Sequence, residues 1–131
     1  MSVRQIEIDK IITYLKSITA IHNITWDRIY FWLPISDDQV WTYITINILW
    51  EQQSFLNKWT LLEFKFIGHN ENTTFNSLLI LKNLVSNQFL SNKSLSSFYV
   101  YNCYEDWGLN NWYDEKNRRV IVQDYRFYFL N

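Results

Sequence analysis

The sequence predicts an α+β domain in which two helices pack on one face of a mainly antiparallel sheet, in the order α-β-β-β-α-β-β. Three observations predict it. Apolar residues recur at intervals of three and four in two segments, the spacing of one helix face. They alternate with polar residues in three others, the spacing of a half-buried strand. The 131 residues are 48% hydrophobic and 19% charged, and no repeat, charge block or Pro/Gly/Ser linker interrupts them. They make one domain, residues 1–131.

The first helix covers residues 5–21, with Ile8, Ile11, Ile12, Leu15 and Ile18 on its apolar stripe and Lys10, Thr13, Lys16 and Ser17 in water. Ser2 is its predicted N-cap and His22-Asn23 its stop. Residues 29–33 form a short strand ended by the only proline, Pro34, before the turn chemistry of Ser36, Asp37 and Asp38. In the strand over 40–50, Ile44, Ile46, Ile48 and Trp50 share one face, and Tyr43, Thr45 and Asn47 the other. A hairpin leads to the strand over 59–67, with Leu62, Phe64 and Phe66 inward and Glu63 and Lys65 outward.

Gly68 and a polar turn precede the second helix, residues 75–90, capped by Thr73 or Thr74 and buried along Leu78, Leu81, Val85 and Phe89. After a loop over 91–97 come strands over 98–104 and 119–130. The last places Ile121, Tyr125, Phe127 and Phe129 on one face and Asp124, Arg126 and Tyr128 on the other. Residues 105–118 between them read as a long loop carrying Trp107, Gly108, Trp112 and Tyr113. The sheet face away from the helices carries Trp41, Tyr43, Lys65, Tyr99, Tyr101 and Tyr128, too aromatic for an ordinary wet surface.

Composition narrows the function. Twelve basic and thirteen acidic residues give a formal charge of -1, which disfavours a nucleic-acid coat or a polybasic membrane anchor. One cysteine makes no internal disulfide, and two histidines with so few thiols make no usual structural zinc site, so no metal or cofactor is expected. Apolar runs fall short of the roughly 20 residues of a membrane helix. Arg4, Glu7, Asp9 and Lys10 interrupt any signal-peptide core, and the expected setting is a reducing compartment. Aromatic residues reach 19%, with seven Trp, nine Tyr and nine Phe. A small interior cannot hide them all, so some are expected at interfaces. A base-composition bias toward A and T accounts for the Asn, Ile, Tyr and Phe, but not for the Trp.

Catalytic constellations are weak. Cys103, with His69 or His22 as base and Glu105 or Asp106 as orienting acid, lies within a strand, where a free cysteine is ordinarily a small core residue. The acid pairs Asp37-Asp38, Glu105-Asp106 and Asp114-Glu115 sit in turns, where solvated carboxylates are common. No phosphate loop, His-x-x-x-His pair or serine elbow occurs, so the chain reads as a non-enzyme. Lys116, Arg118, Arg119 and Arg126 beside Trp112 and Tyr113 have the composition of a single-strand binder. Asp114, Glu115 and Asp124 among them favour a salt-bridged hairpin rim instead, and no specific nucleic acid is expected. Three sequons, at Asn23, Asn72 and Asn92, are unremarkable in so Asn-rich a chain. Two readings of the loop over 105–118 stand side by side: its rings dock into a neighbour, or they fold back over the domain's own sheet.

The element order, the opening helix over 5–21, the strand halted at Pro34, the hairpin over 40–67, the helix over 75–90 and the closing stretch RRVIVQDYRFYFLN resemble the tail terminator and tail-completion proteins of tailed bacteriophages. That resemblance implies a homo-oligomeric ring, a hexamer, which caps the tail tube and joins it to the head connector in the virion after assembly in the host cytoplasm. Its lumen passes DNA, which suits a near-neutral charge. It implies no catalytic residues. The interface residues expected on this reading are Trp107, Trp112 and Tyr113, rimmed by Arg118 and Arg119, with Trp41 and Tyr43 on the aromatic sheet face. Two other classes fit the same composition. One is a cystatin-like or nuclear-transport-factor-like protein with a ligand pocket lined by Trp41, Tyr43, Tyr99 and Tyr101. The other is a protein-binding adaptor or immunity protein using the same face.

Overall fold

A computed structural model describes residues 3–32, 41–53, 58–69, 72–90, 100–106 and 110–129. Ser2, Leu33, Pro34, Asp37, Asp38, Asn92, Tyr99, Trp107, Gly108 and Leu130 lie outside the described residues, as does the loop over 91–97. Of Tyr101 and Phe129 only the backbone is described. The α+β architecture is as predicted. The elements are α1 (Val3–Ser17), α2 (Thr19–Thr25), β1 (Ile29–Phe31), β2 (Tyr43–Gln53), β3 (Lys58–Ile67), α3 (Phe75–Leu90), β4 (Val100–Glu105), β5 (Asn110–Tyr113) and β6 (Arg119–Phe129).

The opening helix is two helices rather than one. Ile18 takes an extended conformation (φ -82, ψ 112) that ends α1 and caps α2. The break lets α1 bury Ile8, Ile11, Ile12 and Leu15 while α2 separately buries Ile21 and Thr25. The chain therefore stays helical past His22-Asn23 and stops where Trp26, at φ 52, donates its backbone N–H to the His22 carbonyl. In α3 the predicted bounds and stripe both hold. Thr74 Oγ1 accepts the Ser77 backbone N–H at 3.1 Å, the bond an N-cap makes to the third helical residue.

The sheet runs β1-β2-β3-β6-β4, with β5 also paired to β6. All neighbours are antiparallel except β1, which lies parallel to β2. One face, through Ile44, Ile46, Leu62, Phe64, Phe66, Ile121, Tyr125 and Phe127, shares a single core with the stripes of the helices. Phe64, Phe89, Tyr125 and Phe127 interlock edge to face there, with centroids 5.0 to 5.7 Å apart along the contacts that link them. Gly68 ends β3 against Thr73, the residue before the α3 cap. A Cβ on Gly68 would come within 2.6 Å of Thr73 Cβ, so close approach of the two segments requires glycine.

Two local predictions need correction. Trp50 does not continue the inward row of Ile44, Ile46 and Ile48. A bulge between Ile48 and Trp50 pairs Trp50 with Leu61, which turns the indole to the opposite face and leaves it exposed. The predicted loop over 105–118 contains β5, which pairs Asn110–Tyr113 with the start of β6. Strands β4 and β5 thus lie end to end along the same side of β6.

Candidate assembly surfaces

The β5–β6 hairpin is built around Asp114. Its Oδ1 accepts the backbone N–H groups of Lys116 (2.9 Å) and Arg118 (2.8 Å), and its Oδ2 takes the Arg118 guanidinium at 2.9 Å. Asn117 supplies the left-handed residue of the turn at φ 58. The Asp114 pair is a turn clamp, and its charges are spent within the hairpin.

Four of the predicted interface residues come together here. Trp112 and Tyr113 are exposed. Arg119 stacks over the Tyr113 ring at 4.6 Å, bonds the Tyr113 hydroxyl, and reaches Asn111 Oδ1 at 3.2 Å. Arg118, mostly buried, lies 5.5 Å over the Tyr43 ring. The two arginines therefore differ in role: Arg119 edges the exposed strand, whereas Arg118 fastens the turn to the sheet.

Tyr43 is buried with Ile67, Val120 and Val122 in a second, smaller apolar cluster on the outer face, edge-on to Tyr30. It supports the hairpin instead of presenting its ring. Trp41 is separate from this group. It pairs with Trp26 at 5.2 Å, and both indoles are exposed.

Beyond that cluster the outer face is polar and aromatic. Arg126 stacks on Trp59 at 4.1 Å and pairs with Asp106 at 2.7 Å, while the Tyr104 and Tyr128 hydroxyls meet at 2.6 Å. Asp124, cross-strand from Glu63, has its carboxyl pushed up by burial, then by the charges of Glu63 and Asp106.

Sequence reasoning named Trp41 as a contact residue but missed the rest of the exposed band to which it belongs. Trp26, Trp32 and Trp41 stand at the ends of β1 and the start of β2, and Leu49 and Trp50 stand at its bulge. Trp26 and Trp32 take left-handed backbone conformations, φ 52 and φ 77, uncommon for a bulky residue. Neither the bulge nor a positive φ leaves a signal in the residue types. The one legible clue is the number of indoles.

The catalytic constellation does not assemble. Cys103 is buried among the core residues, and burial followed by the Glu105 charge pushes its thiol well up, away from thiolate. His22 bonds Asp27 at 2.8 Å, and His69 bonds Thr73 at 3.3 Å. Glu105 and Asp106 diverge: Glu105 takes Lys82 (2.7 Å) and Ser86 (2.9 Å) on the helix side, and Asp106 takes Arg126 on the other. Ser86 also meets the buried Tyr125 hydroxyl at 2.5 Å, so these groups tie α3 to the sheet.

No family model matches the chain, and no curated protein does. A solved structure does. The chain is similar to one in the "Virion of native gene transfer agent (GTA) particle", with a TM-score of 0.67, 10% identity and 92% of each chain covered. The two chains share a fold. At that identity the likeness speaks for architecture alone.

Proposed function

We propose that this protein is a non-enzymatic structural subunit of a phage or phage-like virion, a tail terminator or head–tail joining component that forms a homo-oligomeric ring at the end of the tail tube. The observation that carries the reading is the shared fold with a virion chain over 92% of both lengths. Its surface fits such a role. Indoles are exposed at both sides of the sheet, at Trp26, Trp32, Trp41 and Trp50 on one and Trp112 on the other. A ring subunit needs two different contact surfaces, one for each neighbour. A formal charge of -1 suits a lumen that lets DNA pass without gripping it. The ligand-pocket reading loses support at Tyr43, which is packed under Arg118 and not open to a ligand.

The test is direct. The purified chain is weighed by light scattering, then mixed with tail-tube and connector subunits, and its place is read by electron microscopy of tagged particles. A multimer labelling the head-proximal end of the tail is the expected result. A monomer at every concentration that never enters particles overturns the reading.

A further inference from the structure

We propose that copies of this chain join head to tail by strand pairing, with β5 of one copy adding to the open edge of β2 in the next. The proposal rests on the ring reading above and specifies how its subunits meet. The open edge has a definite geometry. Strand β1 pairs only with residues 44–46 of β2, and Trp32 N–H closes that ladder on the Ile46 carbonyl at 2.8 Å. With its amide turned to donate, the Asn47 side chain reaches the Trp32 and Ile46 carbonyls at 3.1 Å and ends the pairing there.

Residues 47–53 of β2 continue past that point, paired to β3 on one side and, among the described residues, with no strand on the side where β1 stops. At about 3.3 Å per residue this stretch of β2 is roughly 23 Å long. On the far side of the sheet β5, four exposed residues long, is likewise unpaired on its outer side among the described residues. Unpaired edges of this kind bind strands.

Direction and facing fit a second copy. Strands β2 and β6 run the same way, and β5 runs against them. Continuing the sheet from one copy to the next without inverting it sets β5 antiparallel to β2 and keeps the two faces in line. Trp50, paired with Leu61, and Trp112, paired with Val120, both lie on the outer face. Glu51, paired with Thr60, and Asn111, paired with Ile121, both lie on the helix face.

With Trp112 beside Trp50, Asn111 falls opposite Glu51. Arg119 already holds the Asn111 amide oxygen at 3.2 Å, which leaves the amide N–H₂ and the guanidinium charge for the Glu51 carboxylate. The indoles then form an aromatic cross-strand pair on the other face. The turn at Asp114 comes to rest at the end of β1, where Trp32 is 59% exposed.

Complementation tests this in the 131-residue chain. Trp50→Glu blocks the β2 edge and Trp112→Glu the β5 edge, at exposed positions where the fold tolerates change. Each variant alone is expected to be monomeric, its dissociation constant raised about 30-fold or more, as for loss of one hot-spot residue. Mixed in equal amounts, they form a heterodimer and nothing larger, because together they keep one good β2 edge and one good β5 edge.

Amide hydrogen exchange supplies a readout that needs no variant. In the wild-type oligomer those amides of residues 48–52 and 110–113 that point away from β3 and β6 are protected, and they exchange on dilution to monomer. Either variant dimerising alone, no heterodimer on mixing, or unprotected edges in a wild-type oligomer overturns the strand pairing while leaving the ring reading intact. A wild-type chain that is monomeric throughout overturns both.

Discussion

Phe89 and Trp50 are both large aromatic residues on regular elements, yet Phe89 is fully buried and Trp50 is 58% exposed. Phe89 belongs to the region where α3 meets the sheet, and its ring touches Phe64, Tyr125 and Phe127. Trp50 belongs to the β1–β2 edge, where a bulge points it away from the core. The helix-covered face uses its rings to hold one chain together. The edges hold theirs at the surface, two of them on left-handed backbone, where burial within the chain gives little return. The same residue class thus serves cohesion in one region and stands exposed in the other, and position, not residue type, separates them.

The contrast is broken most forcefully at its buried end. Phe89→Ala should destabilise the fold by about 3–5 kcal/mol, the cost of an aromatic cavity in a packed core, read as a lower midpoint in urea. Trp50→Glu should leave that midpoint nearly unchanged, which is the comparison in a single experiment.

The hairpin comes next. Asp114→Ala removes three accepted hydrogen bonds, two of them to backbone N–H groups, and should cost about 1.5–3 kcal/mol. It should also raise amide exchange through β5, leaving α3 protected. Thr74→Ala should cost about 1 kcal/mol through loss of the α3 cap, with Thr74→Ser restoring most of it.

The smallest effect lies on the outer face. The Asp124 carboxyl is pushed above its ordinary range, so the folded state holds its proton more tightly than the unfolded one. Its contribution to stability is therefore full below the unfolded carboxyl pKa and lost as pH rises through the folded one. Asp124→Asn should stabilise the protein at neutral pH by less than about 1 kcal/mol once solvent screening is allowed for. The advantage should fade on acidification, as thermal midpoints taken across the acid range would show.

Much of the fold was legible in particular residues. Leu78, Leu81, Val85 and Phe89 marked the buried stripe of α3, and Thr74 marked its start. Leu62, Phe64 and Phe66 marked the inner row of β3. The candidate surface was legible only in part. Trp112, Tyr113 and Arg119 do gather, but within a hairpin that the chain's polar Asn110 and Asn111 disguised as loop. Tyr43 was assigned to the right face, though the structure buries it there. Ile18 gave no sign of breaking the first helix, since its spacing continues the apolar stripe.

The sequence by itself determined the class of each long element and the inward face of each strand up to its first irregularity. Periodicity is a local property, and hydrophobic burial follows it wherever the backbone stays regular. Only the tertiary structure decided the bulge at Leu49, the break at Ile18, the parallel seat of β1 and the pairing of β5. Each depends on which neighbour accepts a hydrogen bond, and no residue carries that information until its partners are in place.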